Sequence, residues 1–284
     1  MGRAKEIVVK VIPSKIANEF VKKHHYSGKV VVNSNLHFGA FLDNKLHGVM
    51  SFGNSLQKSH VVNLVDTGDK TNNEKWNKFL ELNRMAFDDY LPKNSESRCF
   101  SVAMRLIKKN APHVKWIISF ADALQCGDGT IYRAMGFKLT GVTEYKEFYE
   151  LPNGEIVLGA TLRLSGYTNW LKPFITKENF NVISNGGSKS RPVMEYIGAK
   201  QLQNGYSLRY IYLIDKTCKI TVPILPFSKI DEMGAGMYKG QKVSLQERKQ
   251  HAAIAHLGEH LTSSQEGAFD ATVPLKKQRT NSDA

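Results

Sequence analysis

Between Trp76 and Val142 the hydrophobic period switches repeatedly from that of a strand to that of a helix, and this constrains the fold more than any other feature. Trp76, Phe79, Leu80 and Leu82 introduce a core strand over 77–86. The run Asp88-Asp89-Tyr90-Leu91-Pro92-Lys93-Asn94 is a loop. Phe100, Ala103, Met104 and Ile107 then recur at helical spacing, which predicts a helix over 96–109. Lys108 and Lys109 fall at its C-terminal end, where cations suit the helix dipole. Pro112 breaks it, and 114–120 read as a buried strand. A very short helix from Thr130 to Met135 is stopped by Gly136, and 137–142 return as a strand. Both helices lie between strands, as crossover connections require. The chain therefore reads as α/β (α+β), a mixed central sheet flanked by helices.

The remaining chain fits around this stretch. Residues 6–12 read as a first strand, stopped by Pro13. Ile16, Ala17, Phe20 and Val21 mark a short amphipathic helix over 15–24. Residues 36–42 and 46–53 form a hairpin signal around Asp43-Asn44-Lys45. Residues 55–73 read as a polar loop. Beyond 165 the expected elements are a charged helix at 192–202, an alternating strand at 207–214 and a further strand at 218–224. Periodicity fades after about residue 240, with a marginal helix at 245–258 and a mobile stretch over 260–284. The expected division is a catalytic core over 1–165, an extension of the sheet or a substrate groove over 166–240, and a polar tail over 241–284.

The net charge is +13, from 39 Lys and Arg against 26 Asp and Glu. That balance favours an anionic partner: nucleic acid, an anionic membrane or a phosphorylated cofactor. Cys99, Cys126 and Cys218 are odd in number and show no CxxC spacing, so neither a disulfide framework nor a structural zinc site follows. A reducing cytoplasm fits best. No stretch reaches the apolar length of a signal sequence or a membrane helix.

Ser95-Glu96-Ser97-Arg98 opens the helix after the loop. A helix start offers unpaired amides and a positive dipole end, suited to a pyrophosphate. Ser97 is expected to add a hydroxyl and Arg98 a charge; the same four residues also suit ordinary capping. Downstream, Tyr132-Arg133-Ala134-Met135-Gly136-Phe137 resembles the late signature of the GNAT acyltransferase fold. That resemblance implies a sheet whose central parallel strands splay apart around an acyl-CoA thioester. It also implies that Tyr132 protonates the departing thiolate, the alternative being a core tyrosine with a satisfied hydroxyl. The glycine-bearing phosphate loop usual in that fold is absent, and Asn94-Ser95-Glu96-Ser97-Arg98 stands in its place.

A narrower resemblance is carried by His25-Tyr26-Ser27-Gly28, Leu82-Asn83-Arg84-Met85, Pro92 to Arg98, Ser119-Phe120-Ala121-Asp122 and Gly129 to Phe137, in that order. Together these resemble the Mom family of phage DNA-modification proteins, a divergent GNAT branch, over about residues 20–142. The resemblance implies transfer of an acetyl-CoA-derived, carbamoylmethyl-type group to N6 of adenine in double-stranded phage DNA, as protection from host restriction, in the host cytoplasm. It implies catalytic roles for Tyr132, Asp122, His25 and Tyr26. Arg84, Ser95, Ser97, Arg98 and Ser119 would meet acetyl-CoA or a related acyl-CoA. Asp122 would accept a proton from the adenine amine or orient it; its plainer role is a cap for 123–126. Iron is raised by the resemblance, yet no facial triad of clear spacing is present; His24, His25 and Asp122 are the residues that could meet around it. Lys22, Lys23, Lys29, Lys58, Lys172, Lys189, Arg191 and Lys200 are candidate phosphate contacts. Two other readings remain: a GNAT enzyme for a protein or small-molecule amine, and a DNA-binding protein without an acyl donor. An enzyme requires Tyr132 and Asp122 to face a shared cleft.

Overall fold

A computed structural model describes residues 3–242, apart from 56–57, 123–128, 146, 160–161, 163–165, 186–189, 203–204, 235–236 and 239–240. Seven strands form the main sheet: β1 (Val8–Val11), β2 (Ser34–Leu42), β3 (Lys45–Gly53), β4 (Phe79–Phe87), β5 (Trp116–Asp122), β6 (Lys138–Tyr145) and β7 (Gly205–Leu213). Their spatial order is β1-β2-β3-β4-β5-β7-β6. Neighbours run antiparallel except β4 and β5, which are parallel. The hairpin between β2 and β3 turns at Asp43 and Asn44, both with positive φ, residue types that tolerate the left-handed region. The mixed α/β architecture expected from the sequence is the one observed.

The parallel pair is short. Phe79, Leu80 and Glu81 pair with Trp116, Ile117 and Ile118, and the pairing ends there although β4 runs on to Phe87 and β5 to Asp122. The cause is visible on the other edge of β4. Ser51 pairs with Arg84 and Phe52 with Leu82, so Asn83 is an extra residue bulging out of the ladder. A bulge bends its strand and sharpens the twist. β4 therefore swings away from β5, and a gap opens in the middle of the sheet.

Helix α1 (Ser14–His24) and helix α2 (Ser95–Asn110) lie on opposite faces. On the α2 face, Phe100, Ala103, Met104 and Ile107 pack against Phe38, Met50, Leu82, Ile117, Leu139, Leu208 and Tyr210. Each fully buried Phe, Met, Ile or Leu side chain among them contributes roughly 1.5–3 kcal/mol. On the other face, Ala17 and Val21 of α1 cover Ile12, Val49 and Ala86. Val61, Val62, Leu64 and Val65 cover Phe79, Trp116, Ile118 and Ile211 on that same face. The segment 55–73 is therefore more than a loop. It includes a turn of helix at Lys58–Val61 and a two-residue strand, Val65–Asp66, paired with Lys219–Ile220. The buried valines were overlooked because they sit among polar residues with no sustained period.

Helix α3 (Thr130–Ala134) follows Gly129, whose φ is +73. Between β6 and β7 the chain builds a second, smaller core from Tyr149, Leu151, Val157, Leu171, Phe180, Val193 and Met194 among others. Three short strands, Phe148–Glu150, Ile156–Leu158 and Lys200–Gln201, and helices α4 (Lys177–Ser184) and α5 (Ser190–Tyr196) enclose it. The helix expected over 192–202 thus starts earlier and ends at Tyr196, ahead of Gly198 at φ +72. The helix expected at 245–258, the tail over 260–284 and Lys189 lie outside the described residues. Among the described residues, no helix is long and apolar enough to cross a membrane.

Candidate active site

Alternation along β5 sorts its side chains between the two faces. Ile117 and Ala121 join the core on the α2 face, and Ser119 shares their side; Phe120 and Asp122 point the other way, with Ile118. The residues singled out from the sequence consequently divide into two groups, one on each side of the gap between β4 and β5.

On the α2 face, Ser119 is fully buried and its hydroxyl lies 2.9 Å from the Leu82 carbonyl and 3.0 Å from the Tyr132 hydroxyl. A carbonyl only accepts, so Ser119 donates to Leu82 and accepts from Tyr132. Leu82 and Ser119 are the first residues after the last pair of the parallel ladder, so this bond sits where the gap begins. The Tyr132 ring stacks on Tyr210 at 4.9 Å and meets Phe137 edge-on at 5.4 Å. Gly129 makes this packing feasible: a Cβ there would lie 2.6 Å from the Tyr210 hydroxyl. Tyr132 is thus a half-buried phenol held at the gap. Ser119, which the sequence suggested as a cofactor contact, is fully buried and bonded to Leu82 and Tyr132.

The start of α2 stands on the same face. Its N-cap, Asn94, is left-handed with φ +65 and makes no side-chain cap. The Ser95 and Ser97 hydroxyls turn back onto the carbonyls of Pro92 and Asn94 rather than outward. The expectation that Ser97 offers its hydroxyl is therefore not met in this arrangement. The amides remain: those of Ser95 and Arg98 bond to Pro92 and Asn94, and among the described residues those of Glu96 and Ser97 find no backbone acceptor. Arg98 reaches the Lys5 carbonyl at 3.2 Å, and its Nε is buried without a partner. Uncapped amides beside a guanidinium make an anion-binding arrangement built from backbone and one side chain.

The opposite face carries a cleft of about 540 Å³ lined by Tyr26, Ser27, Lys29, Arg84, Phe120, Asp122, Phe148, Glu155, Ile156, Leu158, Tyr206 and Ser207. One wall is the loop after α1 and the other is the first hairpin of the second core. Lys29 and Glu155 form an ion pair between those walls. Arg84, set beyond the bulge, donates from Nε to the Lys29 carbonyl at 2.9 Å and from Nη1 to the Asn83 carbonyl at 2.7 Å. It ties the loop to the strand while lining the cleft. Asp122 and Phe120 rise from β5 as the floor. Tyr132 is not among the lining residues, so the shared cleft expected of an enzyme is not what the structure shows: Tyr132 and Asp122 flank the gap from opposite faces, and only the gap itself is common to both.

His25 stands just behind Tyr26, the two rings 4.2 Å apart. The Ser27 amide donates to its Nδ1, and the Ser27 hydroxyl lies 2.8 Å from the same atom. Nδ1 is therefore an acceptor, which leaves the proton on Nε2. Burial, aided by the charge of Arg84, pushes the imidazole pKa down to about 4. His25 is then neutral at physiological pH and suited to ordering the loop. His24 stacks on Phe20 at 4.3 Å. Among the described residues, no group of three or more His, Cys, Asp or Glu is placed to hold a metal ion.

Glu81 escaped the sequence reading. It is the last β4 residue paired with β5, and burial raises its carboxyl above the usual range despite hydrogen bonds from Ser55 and Asn83. A glutamate inside an apolar strand carries no distinctive sequence signal; only the bulge beside it marks the position.

The family model described as the Mom protein family matches residues 6–229. The methylcarbamoylase Mom of Escherichia phage Mu is 38% identical over 149 residues, a match covering 52% of this chain and 58% of that protein. The chain thus spans a little over half the length of that curated relative. Among solved structures, the ribosomal-protein-S18-alanine N-acetyltransferase of Escherichia coli is 10% identical with a TM-score of 0.38, covering 74% of this chain and 94% of that one. A GNAT family acetyltransferase from Elizabethkingia anophelis with acetyl-CoA bound is 11% identical with a TM-score of 0.36, covering 72% and 96%.

Proposed function

Since this chain belongs to the Mom protein family, we propose that it modifies the N6 amine of adenine in double-stranded phage DNA with an acetyl-CoA-derived group, as protection from restriction. Attack of the amine on the thioester forms an N6-acyl bond and releases the thiol, and a carbamoylmethyl-type product requires a further, nitrogen-supplying step. The observation that carries this reading is the gap between β4 and β5, with an anion-binding helix start and a phenol on one face and a carboxylate-floored cleft on the other. In this reading the donor approaches from the α2 face and the base from the other, and they meet in the gap. The proposed catalytic core is 1–165, with 166–240 completing the sheet and adding Tyr206 and Ser207 to the lining of the cleft.

An acyl-CoA would supply the activated thioester. The α2 amides and Arg98 suit its pyrophosphate, and the gap suits its extended arm. Tyr132 holds a proton at the gap, oriented by Ser119, ready for a leaving thiolate. Asp122 at the cleft floor accepts a hydrogen bond from the incoming amine, whose lone pair is delocalised into the ring and therefore needs close positioning. Arg84 fixes the loop carrying Tyr26. Lys29 and the other exposed cations, with a net charge of +13, suit the phosphate backbone.

The test is mass spectrometry of nucleosides from DNA of cells expressing the protein, beside Tyr132→Phe and Asp122→Asn. An adenine adduct with the wild type, strongly reduced in both variants, is expected. Unmodified adenine together with acetylation of an added polyamine or peptide amine would instead favour an amine acetyltransferase.

A further inference from the structure

Phe120 is 40% exposed although β5 is an interior strand of the sheet. Interior strands normally present large aromatics to a covering layer, and the other apolar side chains on this face of β5, Trp116 and Ile118, are fully buried. Phe120 forms the floor of the cleft, two residues before Asp122 on the same face. Tyr26, 55% exposed, stands on one wall; Phe148, Ile156 and Leu158 stand on the other. Asp122 pairs across the sheet with Ser207, so a carboxylate and a hydroxyl sit side by side, and the rest of the recess combines these aromatic and aliphatic side chains with the polar groups of Ser27, Lys29, Arg84 and Glu155.

Aromatic faces beside a carboxylate and hydroxyls suit a flat ring with a hydrogen-bonding edge. The cleft, about 540 Å³ and walled on two sides, has room for one nucleotide and none for a duplex. A paired adenine keeps its N6 amine within the major groove, where it cannot approach a recessed carboxylate. Resting on the reading of this chain as a DNA adenine-modifying enzyme, we propose that the cleft receives a single adenine extruded from the helix, stacked on Phe120 and bounded by Tyr26, with its amine on Asp122 and its ring edge toward Ser207. Phe120 is thereby a substrate-stacking residue. The Lys29–Glu155 pair spans the same walls, and a DNA phosphate at the mouth would compete with Glu155 for Lys29.

The experiment uses the full chain with acetyl-CoA and a pool of duplexes carrying adenine in every flanking context, each adenine either paired with thymine or facing an abasic site. Adduct formation is read by mass spectrometry under subsaturating DNA. Adenine facing an abasic site should be modified roughly tenfold faster or more, because the unpairing cost is removed. Phe120→Ala should lower the rate on both substrates by about 5- to 150-fold, the range for losing one aromatic stacking partner. Phe120→Trp should retain the rate, and calorimetric acetyl-CoA binding by Phe120→Ala should match the wild type. Phe120→Leu, which keeps apolar bulk without a ring, should resemble Phe120→Ala and guards against a folding defect. Equal rates on paired and abasic-facing adenine, or a fully active Phe120→Ala, overturn the slot while leaving adenine modification intact. No adduct on any adenine with the wild type removes both proposals together.

Discussion

Replacing Ser119 by alanine tests the geometry at the gap. Its hydroxyl is the link between the Leu82 carbonyl, 2.9 Å away, and the Tyr132 phenol, 3.0 Å away. Leu82 is 3% exposed and Ser119 fully buried, so water does not readily replace the lost partner. A buried acceptor left without a donor costs about 1–3 kcal/mol, and deleting a single oxygen adds little cavity. The expected loss of stability is therefore about 1–3 kcal/mol, read by urea unfolding at constant m-value. Tyr132→Phe should cost less, because Ser119 can still donate to Leu82. The two substitutions remove the same bond, so the double variant should be more stable than the sum of the singles, with a coupling of roughly 0.5–3 kcal/mol. Adduct formation should fall in Ser119→Ala, since the phenol loses the acceptor that aims it. Strict additivity, or a Ser119→Ala protein with wild-type stability and rate, would refute the argument that Ser119 positions Tyr132.

Three further outcomes follow from the structure. His25 titrates near pH 4 when folded, below its ordinary value of 6.5. The unfolded chain therefore binds the extra proton first, and the stability from keeping His25 neutral is complete above pH 6.5 and lost as pH falls toward 4. The melting temperature should drop through that window, and His25→Gln should flatten the drop. Gly129→Ala forces a side chain onto a backbone at φ +73 and sets a Cβ 2.6 Å from the Tyr210 hydroxyl; a loss of about 1–3 kcal/mol should accompany altered Tyr132 packing, visible in near-ultraviolet circular dichroism. Arg84→Lys cannot reproduce two donations in fixed directions to Lys29 and Asn83; a loss of about 1–3 kcal/mol and weaker DNA binding are expected, by unfolding and fluorescence anisotropy.

What could be read ahead of the structure depended on range. The strand, loop, helix, strand, short helix and strand from Phe79 onward are local patterns, and each appears within a few residues of its expected bounds. The residue clusters at 25–28, 82–85, 119–122 and 129–137 each contribute to the edge of the gap or to the cleft beside it, whereas 95–98 open α2. Their division between faces was not legible, because it depends on the parity of β5 and on the bulge at Asn83, and neither changes composition. The placement of β7 between β5 and β6 was equally hidden: it is a pairing across the whole segment 146–204, and alternation alone does not name a partner. The second core was missed because its strands are two or three residues long, too short to show a period. Phe120 was within a quoted motif, yet only its exposure on an interior strand gives it a role.

The most direct test of two faces meeting at one gap is a crystal structure with coenzyme A bound. The pyrophosphate should lie against the amides of Glu96 and Ser97 and near Arg98, with the thiol threaded between β4 and β5 beside the Tyr132 hydroxyl. Coenzyme A seated wholly in the cleft with Asp122, or bound away from the start of α2, would contradict it.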